Sequence, residues 1–127
     1  MAIDLTSTFV VGISATALFD MTVSDQVFRR RCAEDRATAV AEYRRYMLAR
    51  EDEPLADGAA MPLVRALLSL NRFQRDADQP PLVEVVVVSR NSPETGVRVL
   101  NNIRARDLPI RRHAFTGGGP VVDYLEA

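Results

Sequence analysis

The stretch Val85-Val86-Val87-Val88-Ser89-Arg90-Asn91-Ser92-Pro93-Glu94-Thr95-Gly96 joins a β-branched run to small polar residues and then to a helix start. β-Branched side chains are stiff at χ1 and favour extended backbone. From Leu82 to Val88 the run lacks clear alternation, the pattern of a central parallel strand covered on both faces. Ser92 is placed to act as N-cap, and Pro93 suits the first helical position, where its missing donor costs nothing. Gly96, Val99, Leu100 and Ile103 then recur at helical spacing to about Arg106 and form a buried stripe. A strand that ends this way aims N–H groups and hydroxyls at one spot beyond the sheet, where an anion such as phosphate can sit.

Towards the N-terminus, Asp78-Gln79-Pro80-Pro81 is a connector. Before it, about Ala60 to Arg75 reads as an amphipathic helix with Val64, Leu67 and Leu68 inward. Arg65, Ser69, Arg72 and Asp76 fall on its opposite face. Glu51-Asp52-Glu53-Pro54-Leu55 and Asp57-Gly58 form a loop, the acidic triplet reading as a solvated turn. A long helix, capped by Thr22 or Ser24, begins near Asp25 and runs to about Arg50, with Val40, Tyr43 and Met47 sharing a face. Arg29-Arg30-Arg31 reads as its solvated side. Ala17-Leu18-Phe19-Asp20 is apolar and turns over the core, and Phe9-Val10-Val11-Gly12-Ile13 reads as a buried strand.

On the other side, Asp107-Leu108-Pro109 turns the chain into a short strand near Ile110 to Phe115. The glycine run Thr116-Gly117-Gly118-Gly119-Pro120 leads into a short helix carrying Tyr124 and Leu125. Strand, helices, strand, helix, strand, helix predicts one α/β domain over residues 1–127, with a small parallel sheet and right-handed crossovers. A helical insertion occupies about residues 22–58, after the first strand. A further strand would be the natural continuation, so the sheet is expected to be incomplete at its C-terminal end.

Composition narrows the chemistry. The net charge of −1 gives no electrostatic reason to expect nucleic acid or an anionic membrane as partner. No apolar run approaches membrane-spanning length, and Met1-Ala2-Ile3-Asp4 lacks the basic start of a signal peptide, which favours a cytoplasmic location. The one cysteine, Cys32, rules out an internal disulfide and reads as a small buried apolar residue. All 16 basic residues are arginine. Arginine grips phosphate bidentately but cannot serve as a tunable amine, so a catalytic lysine within this chain is excluded. The lone His113 has no carboxylate or cysteine neighbour in sequence and reads as structural.

Ligands of open parallel sheets bind outside the carboxyl ends of the strands. Three such ends are rich in hydroxyls and small residues: Ser14-Ala15-Thr16, Ser89-Arg90-Asn91 and Thr116-Gly117-Gly118. Hydroxyl, amide and glycine N–H groups converging there suit an oxyanion, with Arg90 as a clamp. Taken alone, each loop is also what an ordinary turn looks like.

Several motifs occur in an order that resembles one family: Thr16-Ala17-Leu18-Phe19-Asp20, Glu51-Asp52-Glu53-Pro54-Leu55, Pro62 to Leu68, Leu70-Asn71, Ser89 to Gly96, and Ala114-Phe115-Thr116-Gly117-Gly118. From about Phe9 to Leu125 the chain looks like the N-terminal half of the type I cytosolic 5′-nucleotidases. That resemblance implies a haloacid-dehalogenase-like, Rossmann-like three-layer sandwich. It also implies Mg²⁺-dependent hydrolysis of nucleoside 5′-monophosphates to nucleoside and phosphate. Phosphatases of that fold use an aspartate nucleophile and a second aspartate two residues later, with a phosphate-binding Ser or Thr ending the next strand. By the resemblance, Ser14 and Thr16 stand where the two aspartates would be, and Ser89 matches the phosphate-binding hydroxyl. Phosphate binding would then involve Ser89, Arg90, Asn91, Thr116, Gly117 and Gly118. No lysine fills the family's orienting role, and the metal ligands have no assignment. Asp20 is expected to leave the rim and Asp25 to favour a helix first turn.

Two functions follow. One is a 5′-nucleotidase, with nucleoside monophosphate or phosphate as ligand. The other is a catalytically silent module that binds phosphate or nucleotide, or packs on a catalytic C-terminal half. An exposed sheet edge would also permit a homodimer.

Overall fold

The valine run forms the middle of the sheet. In a computed structural model of the chain, which describes residues 7–122, strand β4 (Val83–Ser89) lies between β1 (Phe9–Ile13) and β5 (Arg112–Phe115), parallel to both. Ile13 pairs with Val87, and Ser89 with Phe115. The strands therefore end together, and the loops that follow them share one rim. A second, two-residue ladder pairs β2 (Phe19–Asp20) with β3 (Ala56–Asp57), antiparallel.

The helices are α1 (Ala15–Leu18), α2 (Thr22–Glu34), α3 (Ala39–Ala49), α4 (Met61–Ser69), which continues as a 3-10 turn over Leu70–Phe73, and α5 (Pro93–Ala105). Asn71, at that turn, accepts from Val83 N–H and donates to Val83 C=O, each at 2.9 Å. An amide side chain here completes the hydrogen bonding at the start of β4.

Burial corrects the expectation of a sandwich with helices on both faces. Along β4 it alternates strictly: Val83, Val85, Val87 and Ser89 are buried, while Glu84, Val86 and Val88 are half-covered. Val85 and Val87 pack with Leu18, Met47, Met61, Val64, Val99 and Ile103 in one core. On the other face Val10 is exposed, and Arg112 forks onto Glu84, with Nη2 to Oε2 at 2.9 Å. The reason is topological. The strands stand in chain order, β1-β4-β5, and right-handed crossovers that step in one direction all land on the same face. The described residues thus form two layers. β1, expected to be buried, is an edge strand with Phe9 and Gly12 also exposed.

The long helix expected over residues 25–50 is two helices. Asp35 is extended, and its carboxylate accepts the Ala37 N–H at 3.0 Å. Such a side-chain turn competes with helix continuation. Neither Thr22 nor Ser24 caps α2. Asp20 accepts the Thr22 N–H at 2.9 Å instead, and Ser24 is buried. Of the expected inward face, Met47 is buried and Tyr43 half-buried, but Val40 is 54% exposed. Cys32 is only half-buried. Arg29, Arg30 and Arg31 are exposed as expected. The helix expected to carry Tyr124 and Leu125 lies outside the described residues.

Helix α5 ends at Asp107, a non-glycine residue with φ of 52°. The N–H of Leu108 reaches Ile103 C=O at 3.1 Å and that of Asp107 reaches Arg104 C=O at 3.0 Å. These two bonds make a Schellman termination, which glycine favours because it lacks the Cβ penalty. Asp107→Gly is therefore expected to stabilise the chain by about 1 kcal/mol. The urea midpoint should rise, and a fall would mean that the Asp107 side chain contributes a contact of its own.

Candidate functional site

At the shared rim, the loops after β4 and β5 are laced together. Thr116 N–H donates to Ser89 C=O at 2.9 Å, Gly117 N–H to Asn91 C=O at 3.0 Å, and Gly118 N–H to Arg90 C=O at 2.7 Å. Gly117 and Gly118 adopt φ of 64° and 102°, which the lacing requires and side chains disfavour. The glycine N–H groups expected to meet an oxyanion are therefore already used between the two loops.

The hydroxyls are similarly engaged. Ser89 is buried, and its Oγ accepts the Asn91 N–H at 3.2 Å. Thr116 Oγ1 donates to Gly119 C=O at 2.8 Å. Ser92 caps α5 as expected, accepting the Thr95 N–H at 3.3 Å. Ser14 and Thr16 are exposed at the end of β1. Ser14 Oγ caps α1 through the Ala17 N–H at 3.2 Å and lies 3.3 Å from Thr16 Oγ1.

What the laced loops leave is a cavity of about 350 Å³ whose floor includes Arg90, Asn91, Ser92, Gly117 and Gly118. Of the sequence-predicted residues, Arg90, Asn91, Gly117 and Gly118 share this space. Ser14, Thr16, Ser89 and Thr116 do not line it. The opposite wall comes from α2 and α3: Asp25, Phe28, Val40, Tyr43 and Arg44. Sequence places none of these in the site, and it gives Asp25 only a helix first-turn role. Only spatial proximity brings the wall to the rim.

The charges are uneven. Arg90 has no carboxylate partner among the described residues, and its Nη2 reaches only Gly118 C=O at 3.3 Å. Arg44 faces Glu94 at 3.5 Å, and Asp25 pairs with Arg29 at 2.9 Å. Burial raises the Tyr43 hydroxyl above the usual tyrosine range, so it remains a neutral donor. The hydrogen bonds from Thr22 hold Asp20 below the usual carboxylate range, in a helix-capping role away from the cavity. His113 is exposed on β5 and does not line the cavity.

A family model described as 5′-nucleotidase matches residues 1–127. The chain belongs to the 5′-nucleotidase family. It is also 30% identical over 119 residues to human cytosolic 5′-nucleotidase 1B, covering 92% of this chain and 18% of that protein. The chain thus spans about a fifth of the relative's length. No solved structure matches it. The stretch Ser89 to Gly96 supplies the β4–α5 junction, while Asn71 holds the start of β4.

The family suggests a metal-dependent phosphatase in general. The described residues do not fit a metal: no group of three His, Cys, Asp or Glu side chains among them is arranged to hold one. Asp25 is the sole carboxylate among the described residues lining the cavity, and it is shared with Arg29. No helix is long and apolar enough to cross a membrane among the described residues.

Proposed function

We propose that this chain is the phosphate-holding part of a 5′-nucleotidase-family phosphohydrolase that releases phosphate from nucleoside 5′-monophosphates. The observation that carries this reading is Arg90, without a carboxylate partner among the described residues, on the floor of the cavity beside the N-terminus of α5. A phosphoryl dianion placed there meets a guanidinium that can bind two oxygens, with the Asn91 side chain and the helix terminus adding favourable dipoles. Arg44, across the cavity, faces Glu94 instead.

The parallel sheet, with α2 and α3 set between its first two strands, supports a haloacid-dehalogenase-like assignment. The cytosolic 5′-nucleotidase relative supports a cytosolic location. In this reading Mg²⁺ and the attacking carboxylate are held by groups other than residues 7–122, in a catalytic half or a partner, and Ser14 and Thr16 have no catalytic role. Bound there, Mg²⁺ would supply positive charge to the phosphoryl oxygens.

The test is phosphate release from AMP, IMP and CMP with Mg²⁺, with and without EDTA, alongside AMP binding. Binding should weaken roughly tenfold or more in Arg90→Ala, the worth of a charge-assisted pair. EDTA-sensitive release that falls with the same substitution supports the full activity. Binding without release assigns this chain the role of a nucleotide-binding module. Neither binding nor release overturns the proposal.

A further inference from the structure

The cavity has two unlike sides. Arg90 and the laced loops form a polar floor, whereas Phe28, Val40 and Tyr43 form an apolar wall on the α2–α3 hairpin. A bare phosphate has no use for such a wall. We propose that the hairpin carries the nucleoside subsite, with a nucleobase against Phe28 and Val40 beside the Tyr43 ring, and the 5′-phosphate across the cavity at Arg90. This rests on the reading that the cavity takes a nucleoside monophosphate.

The wall is built before any ligand arrives. Phe28 and Tyr43 meet edge to face, their centroids 5.1 Å apart at 65°. Tyr43 is half-buried, packed against the core where α3 meets α5. Its ring therefore cannot swing away without breaking the packing of α3 on α5. A platform fixed in this way binds a planar base with little loss of side-chain freedom. Val40, which helical periodicity placed inward, is instead an exposed apolar residue at the cavity.

Orientation follows from charge. On the hairpin side Asp25 is paired with Arg29 and Arg44 with Glu94, so that side offers a phosphate no net attraction. Arg90, on the floor, attracts it. The ligand's anionic end is thus directed to the floor and its neutral end to the wall. At about 350 Å³ the cavity is at the small end of ligand sites, typically about 300–1,000 Å³, a size for one mononucleotide.

The test titrates the 127-residue chain with AMP, ribose 5-phosphate and inorganic phosphate by calorimetry. AMP should bind about tenfold tighter than ribose 5-phosphate, the usual contribution of base–aromatic stacking. Phe28→Leu keeps an apolar core contact but removes the ring, and Val40→Asp alters an exposed position. Each should erase most of the AMP preference while leaving ribose 5-phosphate affinity in place. Arg90→Ala should weaken all three ligands by a similar factor. Equal affinity for AMP and ribose 5-phosphate, or a preference untouched by both wall variants, overturns the subsite and leaves the phosphate reading standing. Should no phosphate ligand bind, adenosine decides: binding lost in Phe28→Leu retains the wall, and no binding overturns it.

Discussion

Gly58→Ala is expected to cost about 4 kcal/mol of folding stability, enough to leave a large unfolded fraction at ordinary temperature. A Cβ at residue 58 would overlap Ala17 O and stand 2.8 Å from the carbonyl carbons of Ala17 and Leu18. These are backbone atoms at the end of α1, so no rotamer change relieves the clash. Relief requires separating two segments joined by Gly58 N–H to Leu18 C=O and Ala60 N–H to Ala17 C=O, both at 2.9 Å. Overpacking alone costs about 1–3 kcal/mol, and each lost hydrogen bond adds about 1. Gly12→Ala is the control, since nothing lies within 4 Å of its added Cβ; it should shift stability by no more than about 0.5 kcal/mol. Denaturant midpoints of the two variants check the contrast, and a Gly58→Ala midpoint equal to wild type would refute it.

The position of Gly58 explains why this contact is invisible in the sequence. β2 and β3 are two residues each, too short to produce a period, and they pair across the whole α2–α3 insertion. Asp57-Gly58 reads as a loop because its residue types suit turns. What they do here is let the two ends of the insertion meet at β2. By contrast, the central strand is legible because local preference and burial agree at β4. The N-cap at Ser92 and the Gly96–Val99–Ile103 stripe are legible for the same reason. The covering of both sheet faces is not, since four consecutive valines look alike whether or not the second face has a partner.

The site divides the same way. Arg90, Asn91, Gly117 and Gly118 can be found because strand ends in parallel sheets gather at one rim. Their hydrogen bonds cannot be read, because whether a glycine N–H is free or bound to Asn91 C=O depends on how two loops meet. Phe28, Val40, Tyr43 and Arg44 lie beyond sequence reasoning for a different cause. Their helical spacing is what any core-facing helix shows. Only the break at Asp35, which folds α3 back along α2, turns that spacing into a cavity wall.

Arg98 is the buried charge on which the insertion is hung, and its removal should cost about 3 kcal/mol. It is 6% exposed on α5. Its Nε donates to Glu53 C=O at 3.2 Å and its Nη1 to Ser24 Oγ at 3.2 Å, so one side chain ties α2 and the Glu51–Leu55 loop to the same helix. Asn102, one turn on, takes the Leu55 N–H at 2.7 Å and donates to Glu53 C=O at 3.1 Å. The Glu53 carboxylate, at 3.8 Å and 59% exposed, contributes little, because a solvated partner is screened. The larger losses in Arg98→Ala are the cavity left by a long side chain and the two hydrogen bonds, with buried Ser24 Oγ losing its donor and Glu53 C=O keeping Asn102. Arg98→Met separates them by filling the volume without donating, and should retain about half of the lost stability. A melting temperature about 10 °C lower for alanine and about 5 °C lower for methionine is the expected pattern. If methionine matches wild type, packing alone holds the loop and the hydrogen bonds of Arg98 add nothing. If methionine is as damaging as alanine, the hydrogen bonds of Arg98 outweigh its packing, and the Glu51–Leu55 loop should then lose hydrogen-exchange protection at Leu55 before the rest of the fold opens.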